Sequence, residues 1–272
     1  MLFALITDTK RISQTQLYGL SRALERNGKH CAQAWGKEPP AVVALDRKSG
    51  LPRGASPILF VDENSDPTTL AYHYYDPIRG TPASRVLVHR DSKFNDGNYS
   101  LCEAASHEML EALLDPMINL WVDHPDPAQR ADTQMAFEIC DMTQEHYTIT
   151  MRDVRWRVAD FVTPAYFRQD IAEDPDKLAR AHAAGVRFNY CGTLSRPGEI
   201  GPEGYAILRQ RSEYGGWRVW SESKKTLDAA RVAAKAHPLA RTFIRGVRFE
   251  QPASSALPSQ PSPEPAASPD SK

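Results

Sequence analysis

A chain of 272 residues can bury a substantial core, and 33 basic against 34 acidic residues leave a net charge of −1, which argues neither for a nucleic-acid protein nor for a membrane-surface one on global grounds. Four scattered cysteines without a Cys-x-x-Cys pair argue against a disulfide framework and for a reducing compartment. The apolar residues 1–6 run at once into Thr7-Asp8-Thr9-Lys10, too soon for a signal peptide or a membrane span, so a soluble cytoplasmic product is expected.

Residues 2–6 read as a short buried strand. Residues 13–27 place Leu17, Leu20, Ala23 and Leu24 at helical spacing, with Gly28 as the stop. Strands follow at 41–45 and 57–61, then a Tyr-rich stretch at 70–75 that suits a sheet edge, then a fifth strand at 85–89. A helix is predicted over 100–115: Ser100 and Glu103 form a capping box, and Pro116 stops it. Leu101, Ala105, Met109, Ala112 and Leu113 give that helix an apolar stripe for packing on a sheet. The order strand, helix, four strands, helix suits an α+β domain in which one five-stranded sheet accepts both helices on one face.

Beyond the helix, residues 135–141 return two carboxylates, Glu138 and Asp141, beside apolar neighbours. Residues 147–151 and 155–159 read as a hairpin, 160–167 as an aromatic-rich turn and 175–185 as a short Ala-rich helix. Residues 205–208 and 217–221 read as a second hairpin turning at Gly215-Gly216, and 227–236 as a helix with Lys and Arg on one side. The Pro, Ser and Ala of 251–272 have no apolar period and predict disorder. Three units result: a metal-binding domain over 1–180, a smaller basic β-rich and helical C-terminal lobe over 181–250, and the tail.

Charge is unevenly spread. Between Phe94 and Met151 there are eleven acids and one base, Arg130, whereas from Arg209 to Arg248 ten bases face three acids. The middle should attract cations, and the later part anions or the middle itself. Nucleic acid stacked on Tyr205, Tyr214, Trp217 and Trp220 is a partner to weigh there, against a solvated basic face.

The predicted helix at 100–115 carries the chemistry. His107 and Glu111 sit one turn apart with Glu108 beside them, so carboxylates surround one imidazole. Like charges at this spacing repel, and a divalent cation would turn the repulsion into attraction. His-Glu-x-x-Glu departs by one residue from the His-Glu-x-x-His helix of zinc peptidases, in which the first and fifth residues bind metal and the second activates water. Carboxylate oxygen is a sound zinc ligand, so His107 and Glu111 are candidate ligands of one zinc ion and Glu108 the candidate general base.

A third ligand must come from elsewhere. Asp115 lies two helical turns from His107 and reads as a helix-end group or an orienting partner. His73 and His89 read as satisfied core or rim histidines, while His124 and His146 are alternative nitrogen ligands.

The element order resembles the N-terminal half of zincin-type metallopeptidases. That resemblance implies a mixed sheet whose fourth strand, here 70–75, is the edge that pairs with an extended peptide or protein substrate beside the metal helix. Leu114 and Met117 stand where metzincins carry Gly and a third ligand, which excludes that branch. The gluzincin branch takes its third ligand from a later Glu with an Asp nearby, a pattern matched by Glu138 and Asp141. Either acid can be the ligand. Tyr166 is a candidate donor to a developing oxyanion.

Ser-His-Glu-Met-Leu-Glu-Ala-Leu-Leu-Asp-Pro, Phe-Glu-Ile-Cys-Asp and Asp-Phe-Val-Thr-Pro-Ala-Tyr-Phe together resemble a family of uncharacterised bacterial and bacteriophage proteins with a zincin-like fold. Two expectations follow. One is a zinc hydrolase in which metal-activated water attacks an amide. The other is a non-catalytic zincin-like scaffold, a bacteriophage structural or assembly protein, in which metal staples the helix to a later segment.

Overall fold

The computed structural model describes residues 1–46, 48–62, 70–96, 100–126, 132–211 and 216–223. The expected helix at 227–236, the tail at 251–272 and most of the basic stretch lie outside these residues.

The chain forms an α+β fold around a mixed five-stranded sheet. Its strands are β1 (Leu2–Thr7), β2 (Ala41–Ala44), β3 (Ser56–Asp62), β4 (Ala71–Asp76) and β5 (Thr81–Val88), in the spatial order β2-β1-β3-β5-β4. Four strands run parallel, while β4 pairs antiparallel with β5, His73 opposite Ser84. β4 is thus an outermost strand, as expected of the Tyr-rich stretch.

Helix α1 (Gln14–Trp35) starts at a complete capping box, with Ser13 and Gln16 satisfying each other's backbone N–H. It does not stop at Gly28. The chain stays helical to Gly36, whose left-handed φ of 61° closes the last turn. Gly28 serves packing instead: a Cβ there would come within 2.4 Å of the Pro40 ring and 3.2 Å of Met109. A glycine read locally as a stop is here the point of close contact between α1 and its neighbours.

Helix α2 (Leu101–Leu114) lies against β4 and β5, α1, and the hairpin of β8 (His146–Met151) and β9 (Val154–Ala159), to which β9 contributes the contact. Ser100 caps it by accepting from the Glu103 N–H. Glu103 does not close a capping box; its carboxylate pairs with Arg157 on β9 at 2.5 Å. Ser106 Oγ accepts the Ala159 N–H at 2.6 Å and fastens α2 to the same strand. The apolar stripe is buried as expected except at Leu113, which is half-buried. The opposite, acidic face is buried too, because elements pack on both sides of the helix.

The hairpin turns at Arg152 and Asp153, both at positive φ, the pairing that suits a two-residue turn. A second sheet has the order β11-β10-β7-β6, built from β6 (Trp121–Asp123), β7 (Thr133–Ala136), β10 (Tyr205–Arg211) and β11 (Trp217–Ser223). It joins strands from both sides of residue 180. Two short helices lie between, α3 (Gln169–Ala172) and α4 (Pro175–Ala183). Arg209 on β10 is held between the rings of Trp121 and Trp217, each 4.2 Å from its guanidinium, so one face of Trp217 is already covered by a cation. Among the described residues no helix is long and apolar enough to cross a membrane.

Candidate metal centre

On α2 the spacing of His107 and Glu111 brings their side chains to one spot: Nε2 of His107 is 3.3 Å from Glu111 Oε1. The third member is delivered by the turn that follows β7. Asp141 Oδ1 lies 3.2 Å from the same His107 nitrogen and accepts from Gln144 Nε2 at 3.2 Å.

That turn is held from two directions. Its Cys140 N–H donates to Glu111 Oε1 at 3.2 Å, so α2 itself pins it. From some sixty residues further along the chain, the Gly201 and Tyr205 N–H groups donate to the carbonyls of Met142 and Asp141. Gly204 makes this clasp sterically feasible, since a Cβ there would sit 2.1 Å from the Met142 carbonyl oxygen.

A second cluster adjoins the first. His73 points inward from β4, placing Nδ1 2.7 Å from Glu108 Oε2 and 3.6 Å from Glu111 Oε2, and Nε2 3.6 Å from Glu138 Oε2. Two groups, His107 with Glu111 and Asp141, and His73 with Glu108 and Glu111, each bring three donor atoms within 4.8 Å of one another. Glu111 belongs to both.

All four carboxylates are buried, Glu111 and Glu138 at 2 % exposure, Asp141 at 4 % and Glu108 at 7 %. Ionised carboxylates do not survive such burial unless something positive meets them. Without a cation, protons fill that role. Burial opposes a charged His73, but the hydrogen bond to Glu108 and the fields of Glu138, Glu108 and Glu111 outweigh it and push the imidazole up to about 9. His107 is likewise driven well above the usual histidine range, burial being overcome by Glu111 and Asp141. Burial pushes the Glu111 carboxyl upward and His107 pulls it back, while Asp141 and Glu138 add to the rise.

Of the residues singled out from sequence, the structure brings together His107, Glu108, Glu111, Glu138 and Asp141. Asp141 stands against His107, whereas Glu138 faces the other imidazole. Tyr166 is elsewhere: it is fully buried against Phe167, and no hydrogen bond or ring contact joins it to the cluster among the described residues. Asp115 caps α2, accepting the N–H groups of Asn119 and Leu120. His124 accepts the Asp126 N–H, and His146 is exposed on β8. The residue whose part in the cluster sequence reading missed is His73, read there as a satisfied core or rim histidine. Its signal is strand alternation, which puts it with Ala71 on the buried face of the strand expected beside the metal helix.

Compared with protein-family models, with curated proteins and with solved structures, the chain matches none.

Proposed function

We propose that the chain is a metal-dependent hydrolase of zincin-like design, acting on peptide or protein substrate, with a zinc ion held by His107, Glu111 and Asp141. One observation carries this reading. The His107 nitrogen lies 3.3 Å from Glu111 and 3.2 Å from Asp141, close to the ~3.3 Å edge of a tetrahedron with zinc bonds of about 2 Å. Such an ion supplies Lewis acidity toward a carbonyl and lowers the pKa of water.

The chain's own groups have definite parts. Gln144 orients Asp141, and the Cys140 N–H orients Glu111. Glu108 turns Oε2 to His73, and its other oxygen, without a hydrogen bond among the described residues, is the acceptor for a proton from water. The outer edge of β4 offers backbone groups to which an extended peptide can add as a further strand.

A second reading is favoured by burial. The cluster is almost closed to solvent, which also suits a non-catalytic metal staple between α2 and the 138–141 segment in a bacteriophage structural or assembly protein. Hydrolysis of a fluorescence-quenched casein separates the two. A hydrolase loses turnover on chelation, regains it with zinc, and loses it in Glu108→Gln with the ion on His107, Glu111 and Asp141 retained. Metal content without turnover points to the staple. Absence of bound metal overturns both.

A further inference from the structure

The one-cation reading leaves His73 and the buried acid Glu138 unexplained. His73 is 2 % exposed, and its Nε2 makes no hydrogen bond among the described residues although it is aimed at Glu138. Burying a strand imidazole against the acidic face of α2 serves no apolar packing.

We infer that the site holds two divalent cations bridged by Glu111, one on His107 and Asp141 and the other on His73 and Glu108. This rests on the metal-binding reading above and extends it. The two oxygens of Glu111 already face different imidazoles: Oε1 is 3.3 Å from His107 Nε2 and Oε2 is 3.6 Å from His73 Nδ1. A carboxylate presented in this way spans two ions about 3.5–4 Å apart, the spacing of two-metal hydrolytic sites. Glu138, beyond the second imidazole, is placed to accept its Nε2 proton and so fix Nδ1 as the ligand atom.

Charge supports the pair. Glu108, Glu111, Glu138 and Asp141 are all buried with two imidazoles that are neutral when they bind metal. Two divalent cations balance these four negative charges, whereas one balances two and leaves the rest to protons. The donor set, mostly carboxylate with one imidazole for each ion, suits zinc or manganese. Filling the second site requires Glu108 Oε2 and His73 Nδ1 to part from their 2.7 Å contact by about half an ångström, a side-chain adjustment. The other Glu108 oxygen stays available for a proton.

The test is calorimetric titration of the chelator-treated full chain with zinc alone, together with manganese-loaded protein read by electron paramagnetic resonance. Two zinc ions per chain are expected, falling to one in His73→Ala and to one in His107→Ala. The manganese spectrum of the wild type should be that of an exchange-coupled pair, and this readout needs no variant to fold. One ion per chain with an isolated manganese signal overturns the bridged pair and leaves the single-site hydrolase standing. No ion at all overturns both.

Discussion

Two of the regions that bury carboxylates do it in opposite ways. Asp160, at the end of β9, is fully buried, yet neutral donors meet it: the Asn189 amide on one oxygen and the Cys191 N–H at 3.1 Å on the other. Burial raises its pKa, and those hydrogen bonds pull it back. Around His107 and His73, four buried carboxylates face imidazoles and one another. A carboxylate that serves structure is surrounded by N–H groups, whereas a cluster of carboxylates and imidazoles is waiting for positive charge.

The difference can be sharpened by removing the proposed cation. Chelation should cost the protein about 4 kcal/mol if the metal is present at a thousandfold excess over its Kd, which lowers Tm by about 8–16 °C for a domain of this size. Thermal melts with and without chelator measure it, and an unchanged Tm would break the contrast. Asp160→Ala should cost about 2–3 kcal/mol by leaving the Cys191 N–H unsatisfied. That loss should be the same in the presence and absence of chelator, because no cation is involved.

Glu111→Gln should behave unlike either. It keeps the oxygen that accepts the Cys140 N–H and removes a carboxyl whose ionisation burial and the neighbouring acids oppose. The chelated variant should therefore be more stable than chelated wild type by about 1–2 kcal/mol, while the metal-loaded comparison reverses sign. Denaturant titrations of the four samples give the two differences, and a variant that is less stable in both states would contradict the reading of Glu111 as a ligand.

The contrast also shows in pH dependence. In the cation-free protein His73 keeps its proton up to about 9, whereas an unfolded imidazole releases it near pH 6.5. The native state holds more protons in that window, so this contribution is complete below about pH 6.5 and is lost as the pH rises through about 9. His107 and Glu111, both shifted upward, act in the same direction. Chelated protein should thus lose stability on alkalinisation across that range, and metal-loaded protein should lose less.

What could be read from the sequence follows the range of the interactions involved. The helix over 101–114, its Ser100 cap and the meeting of His107 with Glu111 are matters of one or two helical turns, and residue spacing determines them. The five strands were legible from apolar runs between turn residues, and the outermost strand from its tyrosines. The choice between Glu138 and Asp141 was not legible. It depends on a turn pinned by the Glu111 carboxylate and clasped by Gly201 and Tyr205, contacts that no local pattern encodes. Gly28 misled for the same reason, since the demand for a residue without a side chain comes from Pro40 and Met109. His73 required knowing that β4 lies over the acidic face of α2, where an imidazole finds three carboxylates.

The most direct test of a cation shared by α2 and the turn after β7 is elemental analysis of the purified protein beside His107→Ala and Asp141→Ala. Bound zinc in the wild type, reduced in both variants, is the expected result. A wild type without metal, or variants that keep its full complement, would contradict the site.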